Sequence, residues 1–129
     1  MANKHILIID MDAEICRAIK AAAQAHHVVV TFLGSTDIDA HHPSWWVLGR
    51  DKPVDAMVIA GYIPGARTSS GPEIIRQLRQ AHIHIPIVGC SGDLDLEPKF
   101  IEAGVTEFVH RGVTNQPAAG FEKALELIQ

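Results

Sequence analysis

Cysteine is scarce in this chain, and no apolar run approaches the roughly 20 residues of a membrane-spanning helix. Of 129 residues only Cys16 and Cys90 are cysteines, both in apolar contexts that read as buried helix or strand. They are expected to behave as small hydrophobes in a reducing compartment, not as a disulfide. The N-terminal apolar run extends only from Ile6 to Ile9, too short for a signal-peptide core, so the expected location is cytoplasmic with no membrane partner. A positive excess is also missing. The formal net charge is −4 and Lys and Arg are scattered, which argues against a nucleic-acid partner. No G-x-G-x-x-G follows the first strand, no Gly-Lys-Ser/Thr closes the glycine-bearing segment after Ala60, and no G-x-S-x-G occurs. Dinucleotide, P-loop and hydrolase chemistry thus lack their signatures, and fold alone would license no flavin.

What is present is ordinary globular composition, 47% hydrophobic and 20% charged, in a length that suits one domain over residues 1–129. Apolar runs alternate with helical patterns. His5 to Asp10 is a continuous apolar run, as a strand covered on both faces should be. Ala13 to Ala25 is alanine-rich with Ile15, Ala18, Ile19 and Ala22 at helical spacing, and Asp12 stands as its N-cap. Strands are expected over His27–Leu33, Asp55–Ala60, Ile85–Ser91 and Glu107–His110. Helices are expected over Gly71–Ala81, Glu97–Ala103 (ended by Gly104) and about Pro117–Gln129. A short helix from Pro43 to about Leu48 would supply the crossover in the segment Gly34–Pro53. This order predicts an α/β fold: a doubly wound, five-stranded parallel sheet of flavodoxin-like order 2-1-3-4-5, in three α/β/α layers. Sites in such sheets form at the carboxyl ends of the strands.

Those ends read Ile8-Ile9-Asp10-Met11-Asp12, Val58-Ile59-Ala60-Gly61-Tyr62, Ile87-Val88-Gly89-Cys90-Ser91-Gly92 and Phe108-Val109-His110-Arg111-Gly112. The pattern, over essentially the whole chain, resembles the receiver domain of two-component response regulators. The resemblance implies a domain that takes a phosphoryl group from a histidine kinase onto an aspartate ending strand three. Acidic residues after strand one would help to hold Mg²⁺, and a Ser or Thr and a Lys would contact the phosphoryl oxygens. Carried over position by position, Asp10 keeps the first acidic place, Met11 replaces the second, and Ala60 replaces the phosphoacceptor. Ser91 keeps the hydroxyl, followed by Gly92, while Arg111 stands for the Lys and Gly112 for a usual proline. Pro64-Gly65 keep the turn, and Phe108 falls on the aromatic switch position.

An alanine methyl cannot accept a phosphoryl group, and with Met11 and Ala60 two of three expected carboxylates are missing. The expectation is therefore a degenerate receiver that is not an enzyme, holds no Mg²⁺ or other cofactor, and works by protein–protein contact. In the family such contacts commonly use the face of helix four, strand five and helix five, here about Glu97–Ala103, Glu107–His110 and Pro117–Gln129. The partner would be a kinase, regulator or output protein, or a second copy in a homodimer. The alternative is a small-molecule or anion-binding module in the vacated pocket, with Asp10, Ser91 and Arg111 as polar contacts. Asp10 and Arg111 are candidates for a direct ion pair across that pocket, since a buried carboxylate without metal needs a partner.

The eight histidines have no Cys or acidic partner at zinc spacing, so His5, His26-His27, His41-His42, His82, His84 and His110 read as surface and helix-end residues. Of Trp45-Trp46, one is expected in the core and the other exposed. Thr68, Ser69 and Ser70 read as turn and capping residues before Gly71-Pro72.

Overall fold

The computed structural model describes residues 3–34, 42–49, 51–63, 70–111 and 116–129. The expected Pro64-Gly65 turn, Thr68, Ser69, Gly112 and His41 lie outside the described residues. Among them run β1 (His5–Ile9), α1 (Ala13–Ala25), β2 (Val29–Phe32), α2 (Pro43–Leu48), β3 (Ala56–Ala60), α3 (Gly71–Gln80), β4 (Ile87–Ser91), α4 (Glu97–Ala103), β5 (Glu107–His110) and α5 (Ala119–Leu127). The five strands form one parallel sheet in the order β2-β1-β3-β4-β5. This is the doubly wound, flavodoxin-like arrangement that the alternation predicts.

β1, β3 and β4 are buried along their whole length, and their side chains alternate between two cores. Leu7, Ile9, Met57 and Ile59 pack with Trp46, Ile74, Ile75, Leu78 and Phe100 under α2, α3 and α4. Ile6, Ile8, Val58, Val88 and Cys90 pack with Ile19, Phe121, Ala124 and Leu125 under α1 and α5. Each fully buried Ile or Leu contributes about 1.5–3 kcal/mol relative to an exposed one, so continuous apolar runs favour the doubly covered position.

Strand two begins later than His27. His26 caps α1, His27 takes a left-handed φ of 56°, and Val28 N–H donates to the Ala23 carbonyl at 2.9 Å. This turn satisfies carbonyls that the helix end leaves open and uses up residues that otherwise read as β-branched strand. α3 leaves in the same way, through His82 at φ 62° with Ile83 N–H on the Leu78 carbonyl. Gly104, at φ 101°, does so for α4.

The histidines are not all at surfaces and helix ends. His5 is buried in β1. Its Nδ1 lies 3.3 Å from the Lys52 carbonyl and its Nε2 2.8 Å from Thr31 Oγ1. A carbonyl only accepts, so Nδ1 donates to Lys52, while Nε2 pairs with the threonine hydroxyl. Cys16 departs from expectation as well: it is half-buried, with Sγ donating to the Asp10 carbonyl at 3.3 Å, while Cys90 is buried. Trp46 is buried and Trp45 is 58% exposed, the expected division.

Candidate functional site at the carboxyl edge of the sheet

β1, β3 and β4 end side by side, with Ile9 paired to Ile59 and Ala60 to Cys90. Their next residues therefore face a common space. A cavity of about 310 Å³ opens there, lined by Asp10, Met11, Asp12, Ala60, Gly61, Tyr62, Cys90, Ser91, Gly92 and Arg111. Among the described residues, every position singled out at the strand ends is in this lining except Phe108. That ring is half-buried lower on β5 and packs on Phe100 with centroids 5.3 Å apart. Gly61, Tyr62 and Cys90 are lining residues that motif reasoning passed over. Their one sequence signal is adjacency to Ala60 and Ser91.

Asp10 is the buried charge of the site, its side chain only 4% exposed. Oδ1 accepts from the Asp12 amide at 2.9 Å and Oδ2 accepts from Arg111 Nη2 in an ion pair. Arg111 follows β5 and Asp10 follows β1, strands separated by three inter-strand steps, or about 14 Å. The pair therefore straps the sheet from one side of the cavity to the other. Asp12 lies outside this strap as the N-cap of α1, its Oδ1 accepting from Glu14 and Ile15 amides at 2.9 and 3.1 Å. Ser91 is buried, and its Oγ accepts from the Asp93 amide at 3.0 Å. A second cavity of about 340 Å³ adjoins the first through Asp12 and Arg111, with Glu14, Ile15, Gln116 and Pro117 completing its lining.

Burial shapes both thiols. The Cys90 thiol is pushed up to about 12 by desolvation, against the pull of the nearby Arg111 guanidinium. The Cys16 thiol is raised by desolvation first, then by the Asp10 and Asp12 carboxylates. Neither is a thiolate near neutral pH, so neither offers a reactive nucleophile.

The donor set does not suit Mg²⁺. That ion demands octahedral hard oxygen; here Asp10 is already bonded at both oxygens, Asp12 is engaged at Oδ1 as the cap of α1, Met11 offers only a soft thioether, and the Ala60 side chain offers nothing. Among the described residues no group of three or more His, Cys, Asp or Glu is placed to hold a metal. No helix among them is long and apolar enough to cross a membrane.

No protein-family model matches this chain, and no curated protein matches it in sequence. Solved structures do match. The chemotaxis response regulator CheY4 of Vibrio cholerae is 14% identical, with 99% of this chain and 100% of that one aligned at a TM-score of 0.70. The activated receiver domain of DrrB, from Thermotoga maritima, is 20% identical over 97% of this chain and 99% of that one, at 0.66. The response regulator RcsB of Salmonella typhimurium is 16% identical over all of this chain, at 0.70, and this chain spans 61% of it. At such identities the likeness is one of fold. The architecture is that of response-regulator receiver domains.

Proposed function

We propose that this chain is a receiver-like signalling module that takes no phosphoryl group on aspartate, holds no Mg²⁺ and acts by binding another protein. The observation that carries the reading is the strap over Ala60. At the end of β3, where a phosphoacceptor would stand, there is a methyl group, and the neighbouring Asp10 is bonded to Arg111. Phosphoryl transfer is mostly charge neutralisation and positioning of a nucleophile. This pocket has no nucleophile at that place, and its one buried anion is engaged by a guanidinium. Without phosphorylation, switching must come from something that binds two states differently, and a protein contacting the face of α4, β5 and α5 is the reading adopted.

Incubation with acetyl phosphate and Mg²⁺, followed by intact-mass spectrometry beside an active receiver, tests this. The expected result is no added mass. A labile phosphoryl adduct would overturn the reading, and mapping it would identify the acceptor.

One observation favours the second reading, a small-anion module: the cavity is open at about 310 Å³, with Ser91 and Arg111 in its lining. Thermal-shift measurements with phosphate, sulfate and acetate decide between the two. Stabilisation that disappears in Arg111→Ala supports the anion module. No shift from any of these anions supports the protein-binding reading.

A further inference from the structure

The charge of the chain is unevenly divided. Residues 93–129 contain seven acidic residues and three basic ones, so they carry the whole net charge of −4, and the first 92 residues are balanced. This segment includes α4, β5 and α5, which adjoin one another at one end of the sheet because β5 is its terminal strand. One of its three cations, Arg111, is bonded to Asp10 in the pocket. Lys123 is half-buried and pairs with Glu126 at 3.1 Å, which among the described residues leaves Lys99 of α4 as the one exposed cation against the acidic residues. Asp93, Asp95, Glu102, Glu107, Glu122 and Glu126 are exposed. Two large apolar side chains stand out among them, Leu94 at 58% and Ile101 at 62% exposure.

Resting on the protein-binding reading above, we infer that this face docks a basic segment of another protein, one whose apolar residues cover Leu94 and Ile101. Apolar side chains at the centre of a contact supply its burial, while opposite charge at the rim steers encounter and rejects wrong partners. The same electrostatics disfavour a second copy of this chain. A two-fold contact sets the same patch against itself, here acid against acid, with like charges costing affinity.

Two synthetic amphipathic peptides with the same leucines, one carrying lysines and the other glutamates, serve as probes in amide NMR titrations of the ¹⁵N-labelled protein. The lysine peptide should shift amides within residues 93–110 and 119–127, and bind roughly tenfold more weakly when salt rises from about 50 to about 300 mM. The glutamate peptide should not bind. The exposed triple variant Glu102→Lys/Glu107→Lys/Glu122→Lys should lose lysine-peptide binding by at least about tenfold, and Ile101→Ser should weaken it with the charge unchanged. Shifts spread over the opposite face, equal binding of both peptides, or an unaffected triple variant would overturn the inference. So would a salt-insensitive dimer through this face in sedimentation velocity. The acetyl phosphate experiment reads out separately: an adduct would remove the unphosphorylated reading without altering the peptide result, and failed docking would leave the absence of an adduct standing.

Discussion

Asp10 and Arg111 form the buried charged pair of the site. Ala60 leaves room and no competing anion at the end of β3, and the guanidinium settles on Asp10. Removing the cation strands a carboxylate whose side chain is 4% exposed. Arg111→Ala should cost about 2 kcal/mol in urea unfolding, because a buried charge loses its partner. The paired variant Asp10→Asn/Arg111→Ala should cost less than the sum of its single changes, which a double-mutant cycle measures. Cys90 provides a second residue-level test. Its thiol moves from the ordinary 9.0 to about 12 on folding, so the folded chain holds this proton where the unfolded chain releases it. The stabilisation is complete below pH 9 and is lost as pH rises toward 12. Cys90→Ala should flatten the alkaline fall in stability relative to the parent, measured as the difference between their unfolding free energies from pH 8 to pH 11.

At the scale of elements, helix exits govern where strands begin. α1 and α3 leave through His27 and His82 at positive φ, a conformation that costs residues with a Cβ and suits glycine. His27→Gly and His82→Gly should each stabilise the protein by about 0.5–1 kcal/mol in thermal or urea unfolding, despite the added freedom of the unfolded chain. The start of α3 is tighter. A Cβ at Gly71 would lie 2.2 Å from the Ala60 carbonyl oxygen and 3.0 Å from the Phe100 ring. Helix and strand end touch backbone to backbone there, with the Gly71 amide on the Gly61 carbonyl at 3.0 Å. Gly71→Ala should therefore destabilise by about 2–3 kcal/mol and disturb the floor of the cavity.

Across the whole molecule the sheet separates two cores, one under α2, α3 and α4 and the other under α1 and α5. Ile75 belongs to the first and Ile19 to the second. Ile75→Val and Ile19→Val should each cost about 0.5–1.5 kcal/mol. Their double variant should add to within about 0.5 kcal/mol, since distant sites without shared partners act independently. Unfolding should nevertheless remain a single transition, because both cores share the residues of β1, β3 and β4. A biphasic melt would mean that the two faces come apart separately.

Much of this architecture is legible in one dimension because its determinants are local or periodic. The continuous apolar runs at Ile6–Ile9 and Ala56–Ala60, the helical spacing around Ile74, Ile75 and Leu78, and the cap at Asp12 specify doubly covered strands and their crossovers. With the strand order given, the last residues of each strand must share an edge, so the sequence alone groups Asp10, Ala60, Ser91 and Arg111. Three-dimensional packing decided what separation along the chain conceals. His5 reads as a surface residue by pattern but is buried, because Thr31 and the Lys52 carbonyl, 26 and 47 residues away, satisfy its ring. His27 belongs to a helix exit and not to a strand, because the carbonyls left by α1 need a donor. The reach of Arg111 to Asp10, 101 positions apart, depends on how three strand spacings add and on a small side chain between them. Pattern selects elements through nearest neighbours, whereas pairing of polar groups is settled only when distant segments compete for the same donors and acceptors.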